Sequence, residues 1–96
     1  IQEIQIFSKK NFLNIEFVLL PYAYQVINDC RQDLLKPQNK IKKIFNKLNL
    51  ELKDYTDKFC EESNKKQLFL TFDPVHLSKD GHNYVFNLLI KDKIIN

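Results

Sequence analysis

Glycine occurs only once in the 96 residues of this chain, as Gly81, and methionine and tryptophan do not occur at all. A single glycine excludes a glycine-rich loop anywhere else in the sequence. The chain also begins with Ile1 instead of methionine, so we expect a preceding portion to be absent. No apolar run approaches the roughly 18 residues of a membrane-spanning helix, and no transmembrane segment is predicted.

Cysteine is scarce as well, with Cys30 and Cys60 far apart in the sequence. Two isolated cysteines form neither a CxxC site nor a disulfide framework. Their interpretation as small buried apolar side chains is favoured over a disulfide. The sequence indicates no compartment.

The overall composition is that of a folded domain, with 44% hydrophobic and 28% charged residues. A chain of this length forms at most one small domain. The net charge of +3 is mild, although lysines crowd residues 36–47. These lysines suit either a solvated helix face or a surface for nucleic acid or an anionic membrane. We favour the solvated face and expect no nucleic-acid partner, because aromatic residues are not interleaved with the lysines.

Apolar spacing predicts alternating strands and helices. The run at residues 15–20, interrupted only by Glu16, suits a strand covered on both faces of a parallel sheet. The leucines that alternate with polar residues at 48–52 are typical of a second strand, and residues 68–72 read as extended. Helices are predicted at residues 1–10, 22–35, 38–48 and 79–90, with a short one around Phe59.

This order predicts an α/β fold with a parallel sheet. Pro37 is expected to end the helix at 22–35. If part of the sheet is missing, one face or edge of the strand at 15–20 should lack a partner. Apolar groups such as Phe17 or Leu19 should then be open or be covered by a second copy of the chain.

Residues 72–82 hold the only glycine and both histidines of the chain. A carboxylate can accept the Nδ1–H of an imidazole and fix its tautomer. Asp73 and His76 are three residues apart around Pro74, whose fixed φ angle stiffens the turn, so we expect them to hydrogen-bond. His76 Nε2 would then be free as a general base. Ser78 is predicted to cap the helix that follows.

Asp-x-x-His-Leu-Ser-x-x-Gly-His, followed by an apolar helix, resembles the last conserved block of the SGNH (GDSL-type) esterase and acetylhydrolase superfamily. The resemblance is close from Asp73 to about Leu89, with a weaker echo at residues 15–25. It implies a three-layer α/β/α sandwich with a parallel, flavodoxin-like sheet. It also implies that Asp73 and His76 are two members of a Ser-His-Asp triad acting on an ester or on an acylated carbohydrate or lipid.

The family's Gly-Asp-Ser nucleophile block and its Gly-x-Asn-Asp oxyanion block are both missing from the chain. Residues 1–96 are therefore expected to be the C-terminal portion of a single SGNH hydrolase-like domain, completed by a missing N-terminal portion or by a second copy of the chain. The alternative is a non-catalytic binding or assembly remnant of the same fold. A third interpretation is a basic module that binds an anionic polymer.

Three further residues have two interpretations each. Tyr22 and Tyr24 follow the first predicted strand and either bind substrate or pack against the sheet. His82 is either a metal ligand or, as we favour, a helix residue beside the loop. Asp73 with His76 could likewise be a purely structural loop cap. No cofactor and no metal are predicted.

Overall fold

The structure, a computed structural model, describes residues 1–95. Its elements in chain order are α1 (Gln2–Lys10), β1 (Val18–Leu19), α2 (Ala23–Ile27), α3 (Lys36–Lys47), β2 (Lys53–Asp54), α4 (Thr56–Glu61) and α5 (Lys79–Lys91), with 3₁₀ turns at Gln32–Leu34 and Lys65–Leu68. No helix in this part of the chain is long and apolar enough to cross a membrane.

Strands β1 and β2 are parallel, with Val18 opposite Lys53. The Lys53 N–H donates to Phe17 O at 2.9 Å, and the Tyr55 N–H donates to Leu19 O at 2.9 Å. Parallel strands surrounded by helices are compatible with the predicted α/β class. Within residues 1–95, β1 pairs with β2 only.

Strand β1 was predicted to be covered on both faces, but its residues are only half-buried. Phe17 and Leu19, which we expected to be open if part of the sheet is missing, are half-buried too. Phe17 packs edge-on against Phe45, with ring centroids 5.1 Å apart, and Leu19 is also half-buried. Ile15 and Leu20 are the exposed apolar residues of this run.

The strand predicted at residues 48–52 is wrong in position. Helix α3 continues to Lys47, and Asn49 adopts a positive φ of 54° that ends it. The Leu50 N–H then turns back to Phe45 O at 2.9 Å. The three leucines of this stretch do face inward while the polar residues between them are exposed, but the ladder begins only at Lys53.

The helix predicted at residues 22–35 is much shorter than expected. It ends at Ile27, and Asp29 and Cys30 have φ angles of 59° and 52°, which an α-helix does not accommodate. Pro37 does not end a helix. It occupies the first turn of α3, where its missing N–H costs nothing.

The core lies where α2, α4 and α5 meet the 3₁₀ turn at Lys65–Leu68. Its buried members are Ala23, Val26, Tyr55, Phe59, Leu68 and Phe69. The predicted apolar face of α5, comprising Tyr84, Val85, Leu88 and Leu89, packs against them half-buried. Tyr55 also donates its hydroxyl proton to Asp92 Oδ2 at 2.7 Å. Burial of Tyr55 is the main cause that raises its pKa to about 12, and this hydrogen bond is the second.

The prediction of two unpaired cysteines is wrong, because Cys30 and Cys60 form a disulfide. Helices α2 and α4 lie side by side in the core, which brings the two Cα atoms to 6.1 Å. That separation is within the usual range for a disulfide. The pairing depends on tertiary contacts that no local sequence pattern encodes.

Gly81 is buried where the first turn of α5 meets the backbone of Leu68. A Cβ atom at this position would lie 1.9 Å from Leu68 O. The same oxygen accepts the Ser78 N–H at 3.0 Å. The only glycine of the chain therefore lets α5 begin directly against the segment that leads into the Asp73–His76 loop.

Candidate functional site

The site loop, residues 70–77, is closed at its base by backbone hydrogen bonds. Phe69 and Leu77 form an antiparallel bridge. The Leu70 N–H donates to His76 O at 3.1 Å, and the Asp73 N–H donates to Leu70 O at 3.2 Å. Buried Phe69 thus anchors one side of the loop in the core.

Asp73 contacts His76 with both of its carboxylate oxygens. Oδ2 lies 2.8 Å from His76 Nδ1. Oδ1 accepts the backbone N–H of Val75 at 3.0 Å and that of His76 at 3.1 Å. The expected Asp73–His76 hydrogen bond is confirmed. A carboxylate that accepts from Nδ1 leaves Nε2 as the unprotonated nitrogen of a neutral ring.

The same contacts determine the charge of Asp73. The pKa of Asp73 is held below the usual 3.8 mainly by the hydrogen bond from the Val75 N–H. The His76 N–H and the His76 imidazole contribute in the same direction. Asp73 is therefore ionised at neutral pH, as the orienting member of a triad must be.

The Asp73–His76 pair is open to solvent. The His76 side chain is 75% exposed and that of Asp73 is 33% exposed. Within residues 1–95 no group hydrogen-bonds to Nε2 of His76. Water weakens the electrostatic interaction between the carboxylate and the imidazole. This interaction becomes stronger where another surface covers the pair and excludes water.

Two neighbouring elements fix the position of the loop. Pro74 O accepts the N–H of Ala23, the first residue of α2, at 2.8 Å. Ser78 caps α5 as predicted, because its Oγ accepts the Gly81 N–H at 3.0 Å. The same hydroxyl donates to Gln67 O. With its proton and one lone pair engaged, Ser78 acts here as a helix cap and is poorly placed to be a nucleophile.

Phe72, beside Asp73, has an unusual conformation that no sequence pattern predicts. Its φ is 61°, a genuine outlier for a bulky residue, and its side chain is fully exposed. It borders an open cavity of about 460 Å³ between α2 and the site loop. The apolar residues that line this cavity are Ala23, Tyr24, Ile27, Phe69, Leu70, Phe72 and Pro74.

The secondary candidates are placed differently from one another. Tyr24 is 55% exposed and lines the cavity, whereas Tyr22 is 40% exposed and does not line it. His82 is an exposed residue in the first turns of α5. The described residues contain no group of three histidine, cysteine or acidic side chains that could hold a metal ion.

No protein-family model, curated protein or solved structure matches this chain, and its function is inferred from its own residues and geometry.

Proposed function

We propose that this chain supplies the aspartate and histidine of a Ser-His-Asp triad in a serine ester hydrolase or acyl transferase of SGNH type. The observation that carries the proposal is the 2.8 Å contact between Asp73 Oδ2 and His76 Nδ1. It supports this role because it leaves Nε2 available to a hydroxyl. The nucleophilic serine belongs to another segment. That segment adds strands to the β1–β2 sheet and completes a three-layer α/β/α sandwich.

In the assembled site His76 Nε2 takes the proton of that serine as the hydroxyl oxygen attacks the ester carbonyl. Asp73 holds the ring and stabilises the imidazolium. The imidazolium then protonates the departing alcohol, which leaves an acyl serine. Water cleaves this intermediate in a hydrolase, and a second alcohol takes the acyl group in a transferase.

The exposure of His76 favours a site completed by another surface. The described residues place nothing against Nε2, and Ser78 is already engaged by Gln67 and Gly81. Within residues 1–95 one edge of β1 has no strand partner, and this edge offers a place for a further strand to add to the sheet.

The cavity beside the site loop suits the acyl part of a substrate. Its apolar lining includes Leu70 and Phe72, which lie three residues and one residue before Asp73, and Tyr24 from α2. A small ligand gains most of its affinity from such an apolar surface beside a few polar groups. We assign the acyl group of the ester to this cavity.

The test is serine labelling by a fluorophosphonate probe. The chain is combined with a segment carrying a Gly-Asp-Ser block, encoded either in frame upstream of Ile1 or on a second polypeptide. Labelling of that serine should depend on His76 and be lost in a His76→Ala variant, while a His82→Ala control should label normally. Labelling that is absent, or equal with and without His76, would contradict the proposal and favour the non-catalytic alternative.

A further inference from the structure

Helix α3 carries a straight row of lysines. Lys36, Lys40, Lys43 and Lys47 recur at intervals of four, three and four residues, which places them on one face of a helix. All four are exposed, and α3 contains no acidic residue. None of them forms an ion pair within the described residues, whereas Lys42 on another face binds Asp54 at 3.0 Å. The row spans about 16 Å at the 1.5 Å rise of an α-helix.

The segment formed by α1 and the residues after it exposes its apolar side chains. Helix α1 has no buried residue, and Ile4, Ile6 and Phe7 are all exposed. Phe12 follows, as a residue that is 97% exposed and has a φ of 56°. Several large exposed apolar side chains within one short segment are typical of an interaction surface.

The end of the lysine row lies near the start of α1. An open cavity of about 660 Å³ separates the two, and Ile1, Glu3, Ile44 and Lys47 are among its lining residues. Lys47 belongs to both the row and the cavity. Lys9 and Lys10 add positive charge at the other end of α1.

We infer that residues 1–13 together with Lys36, Lys40, Lys43 and Lys47 form a basic–apolar face that docks on an anionic lipid bilayer. Such a bilayer offers negative headgroups for the lysines and acyl chains for isoleucine and phenylalanine. Nucleic acid would complement the lysines but leave the aliphatic side chains without a partner. A second copy of the chain that paired through the lysine row would oppose like charges, since α3 has no acid. The inference is independent of the proposed ester chemistry.

The test is co-sedimentation with vesicles of phosphatidylcholine alone and with vesicles that also contain phosphatidylserine. The chain should bind the phosphatidylserine vesicles, bind the neutral ones far more weakly, and dissociate as salt is raised. A Lys40→Gln/Lys43→Gln double variant should bind roughly 25-fold more weakly, at about fivefold per lysine. The matched control is Lys58→Gln/Lys91→Gln, which removes the same charge from exposed positions outside the face and should bind nearly as the native chain does. A Phe7→Ser variant should also weaken binding, and far-ultraviolet circular dichroism checks that every variant is folded.

Three results would overturn the inference. The first is binding that does not distinguish the two kinds of vesicle. The second is equal weakening in both lysine double variants, which would indicate net charge alone. The third is a different occupant of the face, shown either by a lipid-free dimer that Phe7→Ser dissociates or by oligonucleotide binding that displaces the vesicles.

Discussion

Asp73 holds His76 at two points, with Oδ2 2.8 Å from the imidazole Nδ1 and Oδ1 3.1 Å from the backbone nitrogen. The loop and the ring therefore share a single anchor. Protonation or substitution of this carboxylate would therefore weaken two hydrogen bonds at once: the one that fixes the tautomer of the ring and the one that closes the turn.

The first prediction concerns the pH dependence of that anchor. The folded pKa of Asp73 is lower than the unfolded one, so its stabilising effect on the loop is fully present above the unfolded value. The effect is lost as pH falls through the folded value, which lies below 3.8. In an NMR titration, the amide protons of Val75 and His76 should therefore shift together with a midpoint below 3.8.

An Asp73→Asn variant provides the control, because it should remove this transition from both amides. Two different midpoints for Val75 and His76, or an unchanged transition in the variant, would contradict a shared anchor.

The second prediction concerns Gly81→Ala. Alanine is the better helix former by about 1 kcal/mol, so propensity alone predicts stabilisation. Packing predicts the opposite, because the new Cβ would lie 1.9 Å from Leu68 O. The backbone would have to shift to relieve this overlap, at a cost of about 1–3 kcal/mol. We expect urea denaturation to show a net loss of stability, while Asn87→Ala at an exposed position of the same helix should be neutral or stabilising. A stabilised Gly81→Ala variant would show that α5 does not pack this closely on Leu68.

The sequence predicts the local contacts of the site but not the contacts between distant segments. The Asp73–His76 contact and the Ser78 cap are local, and each depends on residues three positions apart with suitable side chains. The position of strand β2 depends on where α3 ends. Asn49, a residue type that adopts a left-handed φ at helix ends, is the one local signal of that end, and the alternating leucines around it favour a strand instead. The disulfide and the contact of Gly81 with Leu68 were missed because both arise from packing between distant segments.

The third prediction concerns Phe72→Gly. A positive φ costs an ordinary residue roughly 1–2 kcal/mol, whereas glycine adopts it freely but orders with a greater entropy loss. The variant should therefore equal the native chain or exceed its unfolding free energy by up to about 1 kcal/mol. Val75→Gly, a neighbouring exposed position without a positive φ, should lose about 0.5–1 kcal/mol. Equal destabilisation by both substitutions would indicate that Phe72 is not strained.

The fourth prediction concerns the disulfide. Cys30 and Cys60 are separated by 30 residues in sequence, and closing a loop of this size stabilises a protein by about 3–4 kcal/mol. A dithiol reductant should lower the unfolding free energy by this amount, which is a large share of the stability of a small domain. The Cys30→Ser/Cys60→Ser double variant should be equally destabilised and should not respond to the reductant. A native chain that is insensitive to the reductant would contradict this prediction.

The rate of p-nitrophenyl acetate hydrolysis tests the central claim most directly. The chain alone should hydrolyse this ester only at the slow rate of free imidazole, a background that His76→Ala removes, because it supplies an imidazole without a serine nucleophile. Combined with the Gly-Asp-Ser segment it should turn over the ester, and His76→Ala and Asp73→Asn should each lower kcat by at least about 10³-fold. Two results would contradict the account: turnover by the chain alone that Ser78→Ala abolishes, or turnover by the combined protein that His76→Ala leaves unchanged.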